Sequence, residues 1–123
     1  MQHPIIQRYI SELKTASFPY FTTETQVLCG RVALTAMPGI DCELVHSFRL
    51  DLPPDAQPNE LAYPLLFLVS VFSKETFCEF RPKMRDSILA TKEYSVVLDG
   101  WRLHIFTEDG HRVYLVELKD QAP

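Results

Sequence analysis

In "HPIIQRYISELK", Ile5, Ile6, Tyr9, Ile10 and Leu13 recur at helical spacing, with Gln7, Arg8, Ser11, Glu12 and Lys14 opposite them. Pro4 suits a first helical turn, where its missing N–H costs nothing. Pro19 disfavours helical geometry at Phe18. The pattern predicts an amphipathic helix over about residues 4–15.

The period then changes to two. "TQVLCGRVALTAMPGIDCELVHSFRLDL" reads as one hairpin turned at Pro38-Gly39. Setting Ala36 opposite Cys42 pairs Leu34 with Leu44, Val32 with His46, Gly30 with Phe48 and Leu28 with Leu50, an apolar face. Arg31, Thr35, Glu43 and Arg49 then share the solvated face. A slip of one residue would bury Glu43 and Arg49, which a core face does not tolerate. "PPDAQPNELAYP" carries four of the nine prolines and reads as a loop with a short helical turn before Pro64. "LLFLVSVF", Leu65 to Phe72, fits a buried strand or a buried helix; its length and its β-branched and aromatic content favour a central strand. "RPKMRDSILATKE" follows as a helix, with Met84, Ile88 and Leu89 on one stripe.

The last third is the most explicit. Asp99-Gly100 is a favoured two-residue hairpin turn and pairs Leu98 with Trp101, Val96 with Leu103 and Tyr94 with Ile105. Glu108-Asp109-Gly110 suits a three-residue turn, which sets Ile105 against Val113, Leu103 against Leu115 and Trp101 against Glu117. Trp101, Leu103 and Ile105 therefore point to the core. Val97, Arg102, His104, Phe106, Arg112, Tyr114, Val116 and Leu118 are left on the opposite face. That mixture of Arg, aromatic and aliphatic side chains is what protein interfaces favour; it equally fits a face whose apolar end is covered by the N-terminal helix or the other hairpin, with the Arg and His left at the rim. Arg102, His104, Arg112 and Tyr114 are accordingly expected to point outward as a protein contact.

Together these elements predict an α+β fold: an antiparallel sheet of about five or six strands, an N-terminal helix and one central helix. The 123 residues, 46% hydrophobic and 23% charged, suit a single domain over 1–123 that needs no metal or disulfide to fold. A net charge of −4 argues against a nucleic-acid partner, and Arg81, Lys83 and Arg85 form too small a cationic cluster to reverse that. No stretch reaches the ~20 apolar residues of a membrane span. The start lacks a secretory pattern, and three cysteines, Cys29, Cys42 and Cys78, suggest free thiols in the cytoplasm.

Candidate chemistry is sparse. The cysteine spacings lack a CxxC pair, and no metal or cofactor follows from them. Cys42 and His46 share an apolar face, where a packed thiol and a hydrogen-bonded histidine are the simpler account. Cys29-Gly30 falls mid-strand and Cys78 lies between aromatics, settings that do not stabilise a thiolate. GxSxG, P-loop and GxGxxG signatures are absent, so no catalytic residue is assigned. The expectation is a cytoplasmic, non-enzymatic protein that binds another protein, or itself as a homodimer, as inhibitor, immunity factor, regulator or chaperone. The alternative is a small enzyme or ligand binder with a pocket between helix and sheet.

Overall fold

A computed structural model of the chain describes residues 3–37, 47–79, 81–82 and 93–118. Helix α1 (Pro4–Thr15) opens the chain, with Ile5, Ile6, Tyr9 and Leu13 buried as their spacing demands. Its first turn is capped by His3, whose Nδ1 accepts from the Ile5 N–H at 3.1 Å. Its end is a Schellman closure: Phe18 N–H donates to Leu13 O at 2.9 Å and Ser17 N–H to Lys14 O at 3.1 Å. Ser17 occupies the left-handed position, φ +61°, that such a closure requires.

Seven strands follow: β1 (Phe21–Thr22), β2 (Gln26–Cys29), β3 (Val32–Met37), β4 (Ser47–Leu52), β5 (Tyr94–Leu98), β6 (Trp101–Glu108) and β7 (His111–Leu118). They form one antiparallel sheet in the order β1-β2-β3-β4-β7-β6-β5. The α+β class matches the sequence pattern, but the sheet has seven strands rather than five or six.

Two strands were not expected: β1, and β2, which is split from β3 because Gly30 lies in a turn and not mid-strand. Cys29 and Val32 face each other across Gly30-Arg31, and Gly30 takes φ +61° at the first central position of this two-residue hairpin, where glycine is favoured. The reversal flips β2, so Val27 and Cys29 are buried while Leu28 goes to the other face. The β3–β4 register differs as well. Ala36 pairs with Phe48 and Leu34 with Leu50, six residues from the expected partners. An even shift keeps parity, so Val32, Leu34, Ala36, Phe48 and Leu50 are all buried as their alternation implies. Pro38-Gly39, Cys42, Glu43, Leu44 and His46 lie outside the described residues, as does most of the helix expected from Arg81 onward, including Lys83 and Arg85.

"LLFLVSVF" is helical, not a strand. A 3-10 turn (Pro58–Leu61) leads into α2 (Ala62–Val71), which buries Tyr63, Pro64, Phe67, Leu68 and Val71. The burial has the 3.6-residue period, but Leu65, Leu66 and Val69 on the other side are as apolar, so the sequence pattern does not show it. Pro64 sits in the first turn, where its lack of an N–H is harmless. Helices α1 and α2 pack together through Tyr9 and Phe67, rings edge-to-face at 6.1 Å, and Arg8 donates to Ser70 O at 3.1 Å. Residues 74–79 are again helical.

One core joins the two helices to a single face of the sheet, with Leu103, Ile105, Tyr114 and Val116 contributed by β6 and β7. Trp101 lies on this face but only half-buried, its ring 6.2 Å from that of Phe48. Among the described residues no helix is long and apolar enough to cross a membrane.

Candidate functional site

The β6–β7 turn decides which side chains the open face presents. The connection is the two-residue turn Asp109-Gly110, with φ of +52° and +83°, and Glu108 pairs with His111. Both central positions have positive φ, as the tight I′ geometry requires. Compared with the expected three-residue turn, β7 moves by one residue: Ile105 meets Tyr114, Leu103 meets Val116 and Trp101 meets Leu118. A one-residue slip turns every β7 side chain over. Tyr114 and Arg112 are therefore on the helix-covered face, fully buried and 8% exposed respectively, and not outward as expected. The reason is packing: this register puts Tyr114 and Val116 into the core and keeps Glu117 off the face that Trp101 shares.

Burial pushes the Tyr114 hydroxyl up to about 12, with the adjacent Arg112 working against it. Arg112 also donates from Nη1 to Thr107 Oγ1 at 3.1 Å. This is a structural polar group at the margin of the core.

Arg102 and His104 stand where the alternation of β6 puts them, on the open face, with Arg102 exposed and His104 half-buried. The strand register arranges this face in three rows. Phe21, Leu28, Ala33, Asp51, Val113 and Phe106 are successive partners along one. Gln26, Thr35, Arg49, Leu115, His104 and Ser95 form the second. Met37, Ser47, Glu117, Arg102 and Val97 form the third. The His104 and Phe106 rings lie 4.7 Å apart. Val113 is fully buried yet stands outside the helix-facing core, between its cross-strand partners Asp51 and Phe106.

One end of the face is charged. Arg49 bridges Asp51 and Glu108, each at 3.1 Å. Arg31 reaches across the β2–β3 turn to Asp55 at 2.8 Å and Glu60 at 2.6 Å. Glu60 also accepts from the Gln57 N–H at 2.8 Å. Arg31 first and this amide second hold the Glu60 carboxyl below its usual range. An open hollow of about 400 Å³ lies among Arg31, Ala33, Arg49, Asp51, Glu108, Asp109 and His111. Its guanidinium groups are already matched by carboxylates, so it offers no strong anion site.

Cys29 is buried 3.8 Å from the Tyr9 hydroxyl, and burial raises its thiol, which works against a thiolate nucleophile. Among the described residues no group of three His, Cys, Asp or Glu side chains could hold a metal ion.

Leu28, Val113 and Leu115 join this face although the sequence pattern assigned them to the core. The signals were Gly30 inside an apparent strand, which marks a turn, and Glu117 opposite Trp101, which marks a wrong register. Comparison with known proteins finds no matching family model, no similar curated protein and no similar solved structure.

Proposed function

We propose that the protein is a non-enzymatic binding module of the cytoplasm whose open sheet face docks another protein. One observation carries this reading. The exposed large hydrophobic side chains among the described residues are Phe21 at 65%, Met37 at 38% and Val97 at 44%, and all three belong to the open face. Between them run Leu28, Phe106 and Leu115, with Arg102 and His104 alongside. Aromatic, Met and Arg side chains are enriched in interface centres. Among the described residues, α1, α2 and the helical residues 74–79 contribute to the core on the other side. The Arg49–Asp51 pair stands on the central strand β4 and reaches Glu108 at the end of β6, a charged group within the face that would orient a partner.

The test is a photo-crosslinking residue at Phe106, compared with one at the exposed Gln7 of α1, in extract of the native host. A defined adduct at position 106 alone is expected. Arg102→Ala, at an exposed position, should then weaken the identified partner by ~2 kcal/mol or more while melting like the parent. Equal adducts at both positions, or a variant that binds as tightly as the parent, would overturn the reading.

A further inference from the structure

The sheet ends differently at its two edges. At one edge stands β1, two residues long, which is the usual way to blunt an edge. At the other stands β5, five residues "YSVVL" without a charge, a proline or a bulge. The hydrogen-bonding direction along β5 follows from its turn. In a two-residue hairpin the flanking residues, here Leu98 and Trp101, form a hydrogen-bonded pair, and the pairs alternate from there. Leu98, Val96 and Tyr94 thus spend their N–H and C=O groups on β6. Ser95 and Val97 turn theirs to the free edge, where β5 has no further strand neighbour among the described residues.

These outward groups match a copy of themselves. In an antiparallel pair centred on Val96, Ser95 stands opposite Val97 of the copy and Val97 opposite its Ser95, so both outward residues form hydrogen-bonded pairs. Val96 meets Val96 and Tyr94 meets Leu98, all half-buried apolar side chains on the helix side. Centring on Ser95 or Val97 instead loses part of this overlap. Asp99, which falls opposite Glu93 of the copy, has its carboxylate turned toward Ser73 N at 3.3 Å and Thr76 Oγ1 at 3.1 Å. We propose that β5 pairs with β5 of a second copy, antiparallel about a two-fold axis at Val96, joining two seven-stranded sheets edge to edge. The axis is perpendicular to the sheet, so both open faces lie on the same side of the assembly. The proposal rests on the backbone of the edge strand and stands or falls apart from the function proposed above, although the Ser95 and Val97 side chains stand on the open face.

Sedimentation equilibrium of the full chain from low to high micromolar concentration should find a monomer–dimer equilibrium. Amide exchange at Ser95 and Val97 should slow as dimer forms. Val97→Lys, and Ser95→Lys at an already exposed position, should each weaken association at least tenfold with melting of the dilute monomer unchanged. In a Cys42→Ser, Cys78→Ser background, Val96→Cys should oxidise to a covalent dimer. Cα atoms of a non-hydrogen-bonded pair lie ~4.5 Å apart, within reach of a disulfide. Ser95→Cys and Val97→Cys, which do not face themselves, should cross-link far less. A monomer at every concentration, a dimer indifferent to both lysines, or equal cross-linking at positions 95 and 96 would each overturn the proposal.

Discussion

The two faces of this sheet are built from the same strands, yet alternate residues have opposite environments. On β7, Tyr114 is sealed under the helices while its neighbour Leu115 is half-buried on the open face. On β6, Ile105 is in the core and His104 beside it is not. The difference shows that apolar character alone does not define a core here. Leu28, Val113, Phe106 and Leu115 are as hydrophobic as many residues of the covered face, but neither helix packs on them. Of these four, Val113 is sealed by its neighbours on the sheet and Leu28, Phe106 and Leu115 are half-buried.

The sharpest way to break the comparison is to truncate neighbours on opposite faces. Tyr114→Ala should cost ~3–5 kcal/mol, a core-truncation loss, whereas Leu115→Ala should cost far less. Urea unfolding of the pair measures it. Equal losses would mean that the open face is also covered core. Next in size is the turn that creates β2. Gly30 has φ +61° and open space around the position a Cβ would take, so Gly30→Ala should lose ~1–2 kcal/mol from backbone strain alone. No loss in thermal melting would place Gly30 outside a strained turn.

A smaller effect of opposite sign belongs to the covered side. Ser17 holds the left-handed position that closes α1, and Ser17→Gly should stabilise by up to ~1 kcal/mol by calorimetry. On the open face, Arg102→Ala should stay within about ±0.5 kcal/mol in folding. A larger loss would show that Arg102 supports the fold.

The subtlest contrast is with pH. The folded Glu60 carboxyl titrates below its unfolded value because Arg31 and the Gln57 amide favour the charged form. Its contribution is therefore present above the unfolded pKa of ~4.3 and is lost as pH falls through the lower folded value. Glu60→Gln should flatten that acid limb of stability while leaving neutral-pH binding by the open face unchanged. An acid limb identical in parent and variant would remove Glu60 as its source.

Much of this architecture was legible in local patterns. Helix α1 and the β5–β6 hairpin follow from a 3.6-residue period and from Asp99-Gly100, signals contained within a dozen residues. Arg102, His104, Phe106 and Val97 were placed on the open face by the same hairpin. Arg112 and Tyr114 were misplaced because Gly110 suits both a two- and a three-residue turn, and one residue reverses the strand. The helix α2 was hidden because it is apolar on every side: Leu65, Leu66 and Val69 stand beside the buried Phe67, Leu68 and Val71, so its sequence carries no helical period.

By itself the sequence determined the alternation within each strand, the ends of α1 and the turn at Asp99-Gly100, because steric and φ preferences act within a few residues. Only the tertiary structure decided that β4 lies beside β7, pairing Leu50 with Tyr114, and hence which parity of β7 faces the helices. That choice is made by burial across some sixty residues of chain, where closing the loop costs entropy and only the packed core returns it.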